Sequence, residues 1–153
     1  MIAMHASLAT TGNPAFLGYV YTCLVLSLNL LALWVSSGAV RARSGVAINP
    51  EDGVRYSAPV RELDPPAVAR ILRVHRNAEA TIYPFLILGL VYVLVGGRAS
   101  IAVPIFATFT GARVVHSIVY LRARQPWRTL SFAVSLLALI VLIVAILVTV
   151  LHS

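Results

Sequence analysis

Residues 6–40 carry no charge, and the stretch 14–40 exceeds the roughly 20 apolar residues that a bilayer core requires. This pattern predicts a first spanning helix over about residues 14–40, closed by Arg41 and Arg43. Apolar runs recur further along and predict helices over about 66–95, 100–121 and 127–151. The helix over 66–95 opens with polar, Arg-rich turns and becomes apolar only from Ile82 onward. Asp64 followed by Pro65 and Pro66 predicts its N-cap and first turn, and Pro84 predicts a kink within it. Gly96-Gly97-Arg98 reads as a tight turn, and Arg122 to Pro126 as a second short loop. The connection 41–65 is polar and holds four of the five acids, with Asn49-Pro-Glu-Asp52 expected to turn into a short ordered loop. The sum is an all-α membrane protein: a four-transmembrane-helix bundle forming one domain over residues 1–153.

Composition supports that class. Of 153 residues, 59% are hydrophobic and only 11% charged, with a mean hydropathy of +0.90, far from a soluble domain. Nucleic acid is thereby an unsuitable partner despite a net charge of +7. All the basic residues are arginines, whose planar fork suits carboxylates and phosphates, so a small anion or anionic lipid headgroups are the natural partners. Cys23 is the single cysteine, which leaves no disulfide framework, and no Cys or carboxylate cluster accompanies His75 and His116 to make a metal site. The N-terminal stretch lacks the basic start and short apolar core of a cleavable signal, so it is expected to stay as a spanning helix.

The arginines also set the orientation. Seven fall in the first connection and the start of the second long helix, three in or beside the last loop, and only Arg98 in the middle one. By the positive-inside rule the first and last connections are cytoplasmic and both termini outside, in a bacterial inner membrane or its equivalent.

Several polar residues fall inside spans, where a merely solvated role does not exist. Helical spacing puts Arg73 and Asn77 on one face, with Arg70 extending the stripe and Arg76 about a third of a turn away. The same spacing aligns Arg113, His116 and Tyr120, with Arg113 roughly 14 Å above the cytoplasmic end of its helix. Arg128 begins the last helix at the level of Arg73. These residues predict a cytoplasmic-side pocket for an anion. Asn29 reads as helix-packing glue, and His75 as an i,i+4 partner of Glu79.

Six separated motifs then resemble, in order, the MAPEG family, the membrane-associated proteins of eicosanoid and glutathione metabolism. They are Asn49-Pro-Glu-Asp52, Arg73-Val-His-Arg-Asn77, Thr81-Ile-Tyr-Pro-Phe-Leu86, Gly89-Leu-Val-Tyr92, Arg113-Val-Val-His116 with Tyr120-Leu121, and Pro126-Trp-Arg128. The resemblance runs from about residue 41 to 129 and is strongest to the family's prostaglandin E synthase branch. It implies a homotrimer of four-helix protomers, with glutathione bound between adjacent subunits on the cytoplasmic side and a lipophilic substrate arriving from the bilayer. It further implies glutathione contacts from Arg41, Arg76, Asn77, His116, Tyr120 and Arg128, with Arg73 and Arg113 in support. Arg128 and Thr129 would stabilise the thiolate, and Asp52 would assist the chemistry.

Three positions depart from that branch. An acid three residues after the Asn is replaced by Ala80, with Glu79 rotated by about 100°. A serine becomes Thr129, and a tyrosine near the thiol becomes Phe132. The loop after Tyr120 is one residue shorter. These changes spare glutathione binding and bear on the isomerase step. The implied activity is that of a glutathione transferase, a peroxidase or a prostaglandin synthase-like isomerase; the alternative is a non-catalytic lipid-binding scaffold.

Overall fold

The computed structural model describes residues 8–152. The single-domain expectation extends over residues 1–7 and 153, which lie outside the described residues. Helices account for most of the described residues.

Helix α1, Pro14–Ser44, starts where Asn13 Oδ1 accepts from the amide of Ala15 at 3.0 Å, with proline at the first helical position. It runs four residues past the boundary expected at 40 and stops at Gly45, whose φ of 63° is left-handed. Arg41 and Arg43 belong to this last turn, where cations favour the negative end of the helix dipole.

The connection beyond α1 holds more structure than the turn and loop expected. Helix α2, Pro50–Tyr56, has proline at its start, Glu51 and Asp52 in its first turn and Arg55 in its last. That arrangement of charges complements a helix dipole even over seven residues. Its flanks are pinned together, because the amide of Ala47 donates to Pro59 O (3.1 Å) and the amide of Arg61 donates to Ala47 O (2.9 Å). Gly53 lies against this bridge, where a Cβ would come within 2.4 Å of Val60.

Helix α3, Pro66–Leu94, begins without a side-chain cap. Asp64 does not cap it as expected; its Oδ1 accepts from Arg41 Nε (3.1 Å) and Nη2 (2.8 Å) and ties the connection to the end of α1. A charged fork offering two N–H groups outcompetes a single backbone amide for that carboxylate. Pro84 lies within a helix that continues through it. At the tight turn that follows, Gly96 has φ 79° and Gly97 sits on the Tyr92 ring, so that a Cβ there would lie 2.4 Å from a ring carbon. Helices α4, Ala99–Leu121, and α5, Trp127–Leu151, complete the bundle.

Four helices, α1, α3, α4 and α5, are long and apolar enough to cross a membrane. Helix α5 packs chiefly on α4, α1 against α3 and α4, and α3 also touches α5. The core centres on Phe85, whose ring stacks on Phe109 with centroids 3.6 Å apart and meets Phe106 edge-on at 5.9 Å. Leu26, Leu33, Ile82 and Leu142 belong to the same buried cluster. Large apolar side chains such as Leu28, Trp34, Ile87 and Leu137 point outward. In lipid those gain little by burial, so close packing and interhelical hydrogen bonds hold the bundle. Two such bonds join α1 to α4: Asn29 Nδ2 donates to Ser117 Oγ (3.1 Å), as the glue reading expects, and Thr110 Oγ1 donates to Thr22 Oγ1 (3.3 Å).

Candidate functional site

Toward the end of the bundle where α4 meets α5, a cleft of about 300 Å³ is lined by Asn77, His116, Tyr120, Arg128, Thr129 and Phe132. Three helices supply these residues. The spacing of His116 and Tyr120 puts both on the face of α4 that meets α5, and their rings lie edge to face at 5.6 Å.

Behind the cleft is Arg113, which is fully buried. Its Nη2 donates to Asn77 Oδ1 at 3.0 Å, whereas Nε and Nη1 have no protein partner. Desolvating a guanidinium inside a span is costly, and a single neutral amide offsets little of it. Arg113 therefore fixes Asn77. With its oxygen committed to Arg113, the amide has its N–H groups left for the cleft.

His116 is 2% exposed. Its Nδ1 lies 3.0 Å from Arg128 O and 3.3 Å from Ser131 Oγ, while Nε2 is buried without a protein partner. Because a carbonyl only accepts, Nδ1 carries the proton, and in the neutral imidazole Nε2 holds a lone pair. The Ser131 hydroxyl donates to Trp127 O (2.8 Å), which leaves its lone pairs to support the imidazole N–H.

Arg128 is held from several sides. Its guanidinium lies 4.7 Å above the Tyr120 ring, a cation–π arrangement. In the orientation of the Gln125 amide that satisfies both ends, Oε1 accepts from Arg128 Nε (3.2 Å) and Nη2 (2.8 Å), and Nε2 donates to Thr129 Oγ1 (3.1 Å). Phe132 packs against His116 at 5.9 Å and makes that wall apolar.

Other expected site residues lie elsewhere in the protomer. Arg73 and Arg76 are exposed on α3 and do not line the cleft, so the face shared by Arg73 and Asn77 does not converge there. Arg41 and Asp52 line a separate cavity of about 490 Å³ beside α2. Arg41 is engaged by Asp64, and Asp52 Oδ2 accepts from Asn49 Nδ2 at 3.1 Å. Glu79, the acid beside Ala80, is not among the residues that line the cleft. Its two oxygens meet His75 Nδ1 at 3.3 Å, as the i,i+4 reading expects, and the Tyr83 hydroxyl at 3.1 Å.

Sequence reasoning missed Gln125 and Ser131. Ser131 was discoverable as a polar residue one helical turn beyond Arg128, and Gln125 as the polar residue of the short loop leading into that helix.

Comparison with known proteins agrees with this architecture. A family model described as the MAPEG family matches residues 19–148. The chain is 38% identical to a prostaglandin E synthase of Equus caballus over 130 residues, 84% of this chain and 85% of the relative. It is 34% identical to the Homo sapiens protein of the same name over 133 residues, 86% and 88% of the two chains. It is also 36% identical to microsomal glutathione S-transferase 1 of Homo sapiens over 119 residues, 74% of this chain and 76% of that one. A family match over most of the chain, with relatives of this identity and coverage, establishes that the chain belongs to the MAPEG family.

Proposed function

We propose that the protein is a glutathione-dependent membrane enzyme that acts on lipophilic electrophiles or lipid peroxides. The observation that carries this reading is the cleft, which Arg128, Thr129, Asn77 and His116 line together, the Asn77 oxygen being held by Arg113 and the His116 Nε2 being buried without a protein partner. That set fits glutathione: guanidinium and amide N–H groups suit its carboxylates and peptide carbonyls, and a buried imidazole lone pair needs a donor such as an ammonium or peptide N–H. Its relatives' names, prostaglandin E synthase and microsomal glutathione S-transferase 1, favour an enzyme over the lipid-binding scaffold.

Bound glutathione supplies a thiol, which becomes a useful nucleophile at neutral pH when its thiolate is stabilised. Arg128 places positive charge beside the position of the sulfur, and Thr129 offers a hydroxyl proton to it. His116, Asn77 and Tyr120 bind and orient the peptide, and Arg113 acts through Asn77. Phe132 excludes water from one wall. Trp127 and Leu130, exposed on either side of Arg128 and Thr129, face the lipid from which a substrate would arrive.

A homotrimer with the site between subunits is part of the same proposal. It is supported by the exposure of Arg73 and Arg76 and by the distribution of Arg41 and Asp52 into a second cavity, which leaves them to complete a neighbour's cleft. The arginine bias supports a site on the cytoplasmic side, with both termini outside, as part of this reading. Purified protein should conjugate glutathione to a generic electrophile or reduce a lipid hydroperoxide with it, and should run as a trimer by light scattering. Absence of glutathione-dependent turnover, with Arg128→Ala changing nothing, would sink the proposal.

A further inference from the structure

We infer that Gln125 is a positioning residue for the sulfur-binding pair, fixing which N–H groups of Arg128 and which atom of Thr129 face the cleft. The inference rests on the glutathione reading and adds a residue to it.

Gln125 lies in the turn just before α5, three positions ahead of Arg128 and four ahead of Thr129, and its one side chain reaches both. With Oε1 accepting from Nε and Nη2, the guanidinium loses two donors to the amide and is locked against rotation in its own plane. The Tyr120 ring, 4.7 Å below, restrains it only along the perpendicular. Together the two contacts leave the remaining N–H groups of Arg128 as the edge available to an anion. A stacked guanidinium without the amide would be free to turn that edge away.

The other end of the amide acts on Thr129. Hydroxyls elsewhere on α5 donate back to main-chain carbonyls: Ser131 to Trp127 O, Ser135 to Phe132 O and Thr149 to Ala145 O. Thr129 makes no such bond; its Oγ1 meets only the Gln125 side chain. When Nε2 donates to that oxygen, the hydroxyl proton has no intramolecular acceptor and is left for the cleft. One uncharged amide thus sets the direction of two donors, while leaving the charge of Arg128 undiminished, as a carboxylate there would not.

Within one protomer the charged and titratable groups around the cleft are His116, Tyr120 and Arg113 from α4 and Arg128 from α5, with Asn77 contributed by α3, and the proposed trimer adds a neighbour's Arg41, Asp52, Arg73 and Arg76, which are the same in every variant. A difference between variants at Gln125 alone therefore isolates its effect on the sulfur. The test is ultraviolet thiolate absorbance of glutathione bound to the full-length protein in detergent, titrated against pH for the unaltered chain, Gln125→Ala and Gln125→Glu. Steady-state kinetics are measured in parallel.

Gln125→Ala should raise the ionisation midpoint by about one unit, a roughly tenfold loss of thiolate at low pH. Its kcat at neutral pH should fall by a similar factor and recover at alkaline pH, while KM for glutathione stays within about threefold. Gln125→Glu, which holds Arg128 but neutralises it, should raise the midpoint further. A Gln125→Ala protein with an unmoved midpoint overturns the inference, whether its amplitude is intact or uniformly reduced, and leaves the glutathione proposal standing. If the unaltered protein gives no thiolate signal with glutathione, the proposed function fails and the inference falls with it.

Discussion

Arg113 on α4 and Asn77 on α3 are joined by a 3.0 Å hydrogen bond from Nη2 to Oδ1, and each determines what the other can do. The amide offers the buried guanidinium its one protein acceptor; the guanidinium decides which end of the amide meets a ligand. Asn77→Ala should therefore destabilise the protein by about 2 kcal/mol, because it strands a buried charged donor. Asn77→Asp should be as stable as the parent or more so, since a carboxylate pairs better with Arg113. The same change should weaken glutathione binding roughly tenfold by replacing the amide N–H groups with a second acceptor. Thermal unfolding and calorimetric titration of both variants give the two readings separately.

His116→Phe keeps an aromatic of similar shape beside Tyr120 and Phe132 but removes the Nε2 lone pair and the bond to Arg128 O. We expect KM for glutathione to rise about tenfold, at the 1.5 kcal/mol scale of one good hydrogen bond. Ser131→Ala, which removes only the supporting hydroxyl, should change KM by less than about threefold. Equal effects from the two would rule out a direct role for the imidazole.

The Arg41–Asp64 pair is partly solvent-exposed, with side chains 37% and 22% accessible, and such pairs contribute about 0–1 kcal/mol. Asp64→Asn should lower thermal stability little, and less still at high salt. If Arg41 reaches glutathione in a neighbouring subunit, Arg41→Ala should raise KM several-fold with an equally small thermal effect. A large thermal loss with unchanged KM would assign Arg41 to folding alone.

Phe85→Ala removes the partner stacked on Phe109 and opens a void between α3 and α4, at a cost of about 3 kcal/mol. Phe85 lies two helical turns beyond Asn77 and outside the cleft lining. At temperatures where the variant is folded, its kcat and KM should match the parent's, measured in the same detergent.

The spans were legible because twenty-residue apolar runs have few alternatives in a chain this hydrophobic. Helix α2 was not: seven residues with a central glycine carry no periodic signal, and the Ala47–Val60 bridge that pins its flanks joins positions far apart in sequence. Asp64 looked like a cap because local spacing is all that a sequence displays, whereas its partner Arg41 lies 23 positions away. The cleft was legible as residue types and only partly as geometry. Spacing aligned His116 with Tyr120, but it grouped Arg73 with Asn77, and the structure turns Asn77 inward toward Arg113 while Arg73 stays exposed. Gln125 escaped notice because its role depends on which way an amide is turned.

Asn29 donates to Ser117, and the Ser117 hydroxyl donates in turn to the carbonyl of Arg113, one turn from His116. Helix α1 lends no side chain to the cleft lining, yet this thread ties it to the stretch of α4 that carries the imidazole. The outward positions of α1, such as Leu24, Leu28 and Leu31, can drift among apolar residues at little cost. Two polar positions on the same helix, Thr22 and Asn29, set the height at which the cleft-lining end of α4 sits, so the tolerance of α1 to change is divided by face rather than by distance from the cleft.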